Sequence, residues 1–255
     1  MEGSSHEACS LAGTWNLGKL ICIYDDNGIS IDGEIDGWFT DDTASRFKSY
    51  GWQVIDKVDG HDADAISSAI DEAIKNTNNP TLICCKTQIG FGSPNKAGTA
   101  SSHGSPLGED EIEKTKEKLG WKHEAFEIPQ DIREMWDGSK KGEKLEKSWE
   151  DLFANYSKHY PDLAEEFKRR INRNLPENWE EISKNAINEI NHQAIDLATR
   201  QSSHLSLNKL GDSLPEMIGG SADLTGSNLT KHDASVVIDE TNSDGNYIYY
   251  GVREF

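Results

Sequence analysis

Asn27 heads the tripeptide Asn27-Gly28-Ile29, directly behind an apolar, β-branched run from Lys19 to Tyr24. An amide oxygen at the end of a buried strand can ligate a hard cation, and the Ile29 carbonyl two residues on can point the same way. Mg²⁺ favours such oxygen donors, completed by a carboxylate and by phosphate oxygens. An ordinary Asn-Gly turn is the competing reading, because Asn is common wherever φ is positive. His103, in Ser101-Ser102-His103-Gly104, lies in the glycine-rich stretch Gly90 to Gly108, GFGSPNKAGTASSHGSPLG. An imidazole there can donate to a diphosphate or exchange a proton with a sugar hydroxyl, and a plain exposed loop histidine is its alternative. Arg200 with Ser202 and Ser203, and Ser221 with Ser227 and Asn228, offer a planar donor fork and hydroxyls that suit a phosphomonoester. Taken singly, Arg200 reads first as a surface ion-pair partner near a helix end, Asp223 as a turn cap and Glu254 as an ordinary charged residue at a helix start.

Chemistry of this kind needs elements that deliver these residues to one edge. The spacing predicts a short helix from Leu11 to Leu17 stopped at Gly18, a buried strand from Lys19 to Tyr24, and a helix from Asp42 to Tyr50 stopped by Gly51. A second strand runs from Trp52 to Val58. A helix from Ala63 to Lys75 with Asp62 as its N-cap comes next, then a third strand from Thr81 to Thr87. Strands alternating with helices across short joints predict an α/β fold with a parallel sheet, whose ligands sit beyond the carboxyl ends of the strands. Asn27 and the glycine-rich loop follow the first and third of those ends.

From Glu109 to about Asn191 the chain turns to charged helices interrupted by Pro129, Pro161 and Pro176. Glu143 to Arg173 is amphipathic through Trp149, Phe153, Tyr156 and Phe167, broken once at Pro161, and reads as a helical connector with a solvated charged face. The last residues open a second α/β unit: a helix from Gln193 to Lys209, a strand from Glu216 to Gly219, a turn over Gly220 to Leu224, and a strand from Tyr247 to Tyr250. The expected division is residues 1–120, a connector over 121–192, and residues 193–255. A helical pattern starting at once behind Met1, and an end in mid-element at Phe255, read as a piece of a longer protein.

Composition excludes several classes of function. Across 255 residues, Lys and Arg number 26 against 45 Asp and Glu, a formal charge of −19 that repels a phosphate backbone, so no nucleic-acid partner is expected. No apolar run approaches the length of a membrane span, and no membrane partner is expected. Cys9, Cys22, Cys84 and Cys85 lack zinc-site spacing, and reduced thiols in a cytoplasmic protein are the expectation.

Taken in order, these segments resemble the transketolase family over essentially the whole chain. The resemblance is carried by MEGSSHEACSLAGT (Met1 to Thr14), YDDNGISIDG (Tyr24 to Gly33), WFTDDT (Trp38 to Thr43), GFGSPNKAGT (Gly90 to Thr99), SSHGSPLG (Ser101 to Gly108), GGSADLTGSNLT (Gly219 to Thr230) and YGVREF (Tyr250 to Phe255). It implies a thiamine diphosphate-binding fold of parallel sheets flanked by helices. The implied activity is transfer of a two-carbon ketol unit from a ketose phosphate such as xylulose 5-phosphate to an aldose phosphate such as ribose 5-phosphate or erythrose 4-phosphate, through a carbanion of thiamine diphosphate. A dihydroxyacetone synthase-like ketol transferase and a non-catalytic remnant are the alternatives.

By the same resemblance Asn27 and the Ile29 carbonyl ligate Mg²⁺ or Ca²⁺, and His103 contacts the cofactor diphosphate and the sugar. Arg200 and Ser227 grip the sugar phosphate, Asp223 lies at the cofactor, and Glu254 faces N1′ of the aminopyrimidine as the catalytic acid. The family's diphosphate motif opens with Gly-Asp-Gly, which would stand just before Met1, so these 255 residues alone are expected to be inactive. The intact protein is expected to be a homodimer in which Glu254 of one subunit faces Asn27 of the other. One departure is visible: many relatives have a carboxylate, one of a chain of glutamates joining the two active sites, where this sequence has Asn208, while Glu2 and Glu7 keep other members.

Overall fold

The computed structural model describes residues 3–254; Glu2 and Phe255, named above, lie outside the described residues. The chain divides into two compact units, residues 3–127 and 128–254.

In the first unit the elements are α1 (Gly3–Thr14), β1 (Ile21–Asp26), β2 (Ile29–Ser30), β3 (Gly33–Glu34), α2 (Thr43–Ser49), β4 (Gln53–Asp59), α3 (Ala63–Lys75), β5 (Thr81–Lys86) and α4 (Glu109–Leu119). β1, β5 and β4 form a parallel sheet in that order, with Ile21 and Gln53 both opposite Thr81. Successive side chains of a strand point to opposite faces, and β5 uses both. Leu82 and Cys84 join Ala12, Phe47 and Trp52 in one core, while Ile83 and Cys85 join Val58, Ala69 and Ala73 in another. Trp52 Nε1 donates to the Cys9 carbonyl at 2.8 Å, tying α1 to the first of these cores. Asp42 caps α2 by accepting from the Ser45 amide at 2.9 Å, and Asp62 caps α3 by accepting from the amides of Asp64 and Ala65.

Two expectations are corrected here, and one element is added. The buried strand is β5, whereas β1 is an edge strand on which Ile23 stays 60% exposed. The first helix ends at Thr14 and not at Leu17, because Asn16 turns to φ +52° and breaks the helical ladder. A hairpin, β2–β3, sits unpredicted inside the YDDNGISIDG segment, in register Ile29 to Glu34.

The second unit contains α5 (Gln130–Trp136), α6 (Ser139–His159), α7 (Pro161–Ile171), α8 (Trp179–Gln193), α9 (Thr199–Leu210), β6 (Gly219–Ser221), α10 (Thr225–Asn228) and β7 (Tyr247–Tyr249). Pro161 opens α7 at a position where its missing N–H costs nothing. Trp149, Phe153 and Phe167 join α6 to α7, with ring centroids 5.2 and 5.3 Å apart along the series. Gln193 ends α8 instead of starting the next helix, since Ala194 adopts φ +45°. α9 begins at Thr199, where the Gln201 side chain accepts from the Ala198 amide at 3.1 Å. The strand expected at Glu216 begins three residues later, because Glu216 is held by Arg169 and the Met217 amide closes a turn on Leu214. β6 and β7 are parallel, with Ser221 opposite Tyr249. Among the described residues no helix is long and apolar enough to cross a membrane.

Candidate cofactor site

The carboxyl end of β1 delivers Asp25, Asp26 and Asn27 in succession. Thr87 Oγ1 donates to Asp25, and Lys86 Nζ pairs with Asp26 at 3.2 Å, so each aspartate is engaged by the end of β5. Asn27 stays within reach of the first of them, its Nδ2 donating to Asp25 Oδ2 at 3.5 Å. Its Oδ1 accepts the Ile29 amide at 2.9 Å while Gly28 passes through φ +72°, so the turn geometry is realised. An amide oxygen has two lone pairs, and one remains for a ligand.

Asn27, Ile29, Glu34, Asp36, Thr87 and Gly98 share the walls of a groove of about 390 Å³. Its donors are amide, carbonyl, hydroxyl and carboxylate oxygens, the set a hard divalent ion prefers. No group of three His, Cys, Asp or Glu placed to hold a metal occurs among the described residues, so a cation here would draw on amide and carbonyl oxygens as well as carboxylates. In these respects the residues present fit such an ion.

The glycine-rich loop is tied at several points. Glu111, 6% exposed in the first turn of α4, accepts from the Ser93 hydroxyl and, at 2.8 Å each, from the backbone and side-chain amides of Asn95. Those hydrogen bonds, the Ser93 hydroxyl first, hold its carboxyl down at about 2. Lys96 Nζ donates to the carbonyls of Pro106 and Leu107 at 3.3 and 2.8 Å, and the Lys96 carbonyl accepts from Ser102 Oγ at 2.6 Å. Gly90 lies beneath that hydroxyl with φ +66°, and a Cβ there would come within 2.6 Å of Ser102 Oγ. His103 closes the short 3₁₀ turn Ala100–Ser102 through its amide, and its ring is exposed. Sequence reading passed over Glu111 and Lys96; their signal was a buried partner for the polar Ser93-Pro94-Asn95 corner.

In the second unit the carboxyl ends of β6 and β7 carry the other candidates. Asp223, two residues past Ser221, is exposed at φ +55°, and Ser227 is exposed on the single-turn helix α10. Tyr247, 1% exposed, anchors this edge: its hydroxyl meets Thr225 Oγ1 at 2.9 Å and Thr230 Oγ1 at 2.7 Å. The Tyr250 amide donates to the Ser221 carbonyl at 3.1 Å, and the chain turns through Gly251 at φ +64° toward Glu254, which is exposed. Arg200 is exposed at the start of α9, makes no ion pair among the described residues, and no hydrogen bond joins it to Ser227. Asn208 is used locally, its Oδ1 accepting the Asp233 amide at 2.9 Å.

All four cysteines are free, and burial, then the nearby Asp56, Asp26 and Asp42, push Cys84 up to about 11.

Comparison with known proteins assigns both halves. Residues 1–176 match the transketolase thiamine diphosphate binding domain, and residues 196–255 the transketolase pyrimidine binding domain. Transketolase 2 of Escherichia coli K12 is 56% identical over 255 residues and transketolase 1 of Vibrio cholerae 55% identical; each alignment covers all of this chain and 38% of the relative. Among solved structures, Pichia stipitis transketolase in complex with sedoheptulose 7-phosphate superposes with a TM-score of 0.88 at 42% identity, covering 100% of this chain and 38% of that one. Leishmania mexicana transketolase gives 0.87 at 35% identity, with the same coverage. The chain thus spans about 38% of the length of the relatives it matches, and over that span it belongs to the transketolase family.

Proposed function

We propose that this chain is the part of a transketolase that holds both ends of thiamine diphosphate, and that the whole protein moves a two-carbon ketol unit from a ketose phosphate to an aldose phosphate. The observation that carries the reading is the pairing of Asn27 Oδ1 and Ile29 in one oxygen-lined groove at the carboxyl ends of β1 and β5. Support for the substrate class comes from the Pichia stipitis relatives, solved with xylulose 5-phosphate, fructose 6-phosphate and sedoheptulose 7-phosphate.

Asn27 and the Ile29 carbonyl would hold Mg²⁺ or Ca²⁺ against the diphosphate, and Asp223 would lie at the cofactor. When bound, thiamine diphosphate supplies the electron sink for breaking the carbon–carbon bond beside the carbonyl. Glu254 acts as an acid, holding a proton on the aminopyrimidine N1′. His103 hydrogen-bonds the diphosphate and a sugar hydroxyl, and Arg200 with Ser227 holds the sugar phosphate through a guanidinium fork and a hydroxyl. Residues 1–120, 121–192 and 193–255 divide the work into diphosphate domain, connector and pyrimidine domain. A cytoplasmic homodimer, with diphosphate and pyrimidine half-sites from different subunits, completes the proposal; four free cysteines support the reducing compartment.

The test is a chimera in which these 255 residues replace the aligned stretch of the Escherichia coli relative. It should convert xylulose 5-phosphate and ribose 5-phosphate faster than it uses formaldehyde as acceptor, while the 255-residue chain alone turns over neither. A chimera that folds, binds no thiamine diphosphate in calorimetry and has no ketol transfer activity would contradict the proposal.

A further inference from the structure

His61, just past the carboxyl end of β4, does more than end a turn. Its amide donates to Asp59 Oδ1 at 2.9 Å, which stands the ring off the strand. The Gln88 amide then donates to His61 Nε2 at 2.8 Å, and the ring stacks on Phe91 with centroids 3.9 Å apart and planes inclined by 14°. Gln88 lies two residues past β5 and lines the same groove as Asn27. Gly98 crosses over the Gln88 side chain at φ +73°, where a Cβ would lie 3.4 Å from Nε2. One imidazole therefore joins the end of β4 to the root of the loop that carries His103. A ring nitrogen that accepts from a backbone amide bears no proton, which places the single proton of the neutral ring on Nδ1.

We propose that His61 is a positioning residue of the cofactor groove, fixed as the Nδ1–H tautomer, and that it sets the Gln88–Phe91 corner through an acceptor and a stack that separate substitutions can remove. What the groove holds rests on the function proposed above; the tautomer and the corner do not.

The test begins with long-range ¹H–¹⁵N spectra of the 255-residue chain labelled at histidine. The expected result is a His61 ring with Nδ1 protonated and Nε2 bare. Hydrogen exchange then separates the two contacts. His61→Phe keeps the stack and loses the acceptor, so the Gln88 amide should exchange about five- to tenfold faster, the size of one lost hydrogen bond. His61→Gln keeps an acceptor and should retain most of that protection, while α6 and α7 stay unchanged in both variants. In the chimera, His61→Phe should raise the KM for thiamine diphosphate with kcat little altered. A ring protonated at Nε2, or unchanged exchange at Gln88 in His61→Phe, would overturn the assignment whether or not the groove binds thiamine diphosphate.

Discussion

Gly220 and Tyr250 touch so closely that no methyl group fits between them: a Cβ on Gly220 would lie 2.6 Å from Cε2 of the Tyr250 ring and 2.8 Å from the Ile248 carbonyl. The contact joins the segment leading to Asp223 with the segment leading to Glu254, and the Tyr250 amide bond to the Ser221 carbonyl holds the two in step. Gly220→Ala should overpack this edge and cost about 1–3 kcal/mol. Hydrogen exchange should show the loss at residues 247–253, with the first unit unaffected. Unchanged protection there would mean the two segments are not coupled through this contact.

Glu111 gives the loop a pH dependence of defined sign. Its folded-state carboxyl sits at about 2, below the ordinary 4.5, so its contribution is fully present above 4.5 and is lost as pH falls toward about 2. Glu111→Gln should loosen residues 93–96 at neutral pH and flatten the acid dependence of the first unit. Acid titrations of the two proteins, followed by exchange at Asn95, would check this.

Arg169 spends all five of its N–H donors: two on Glu166 at 2.7 Å, two on Glu216 at 2.9 Å, and one on the Asn174 carbonyl at 2.8 Å. It thereby clamps α7 to the segment that feeds β6. A lysine, with three donors and no fork, cannot reproduce that geometry. Arg169→Lys should lower the thermal midpoint of the second unit nearly as much as Arg169→Met, and a lysine variant of wild-type stability would count against the clamp.

Much of the fold could be read from the chain because its signals were local. Asp42 and Asp62 announced α2 and α3, and the Trp149 to Phe167 pattern announced the α6–α7 pair. The errors arose where a distant residue decided the outcome. Glu216 looked like the start of a strand until Arg169, 47 residues away, claimed its carboxylate. β1 looked buried because its composition is apolar, yet among the described residues only β5 has strand neighbours on both sides. At the candidate site, the closeness of Asn27 to Ile29 was legible because they belong to one turn, and both line one groove. Glu111, Lys96 and His61 were not legible, since their roles lie in contacts 10 to 27 residues along the chain.

Cys84 offers a check on the first core. It is 5% exposed and its thiol is pushed up to about 11 by burial and neighbouring aspartates, so it should label far more slowly than Cys9 or Cys22 with a thiol reagent at pH 8. Equal labelling rates in the native chain would show that the packing of β5 against Phe47 and Trp52 is not maintained in solution.

The most direct measurement is a crystal structure of the chimera with thiamine diphosphate and Mg²⁺, joined to the rate of its Glu254→Gln variant. The proposed function requires the Asn27 amide oxygen and the Ile29 carbonyl among the metal ligands, Glu254 against N1′, and a kcat about 10²–10⁴-fold lower in the variant. Cofactor lodged away from both residues, or a variant with a near-normal rate, would contradict it.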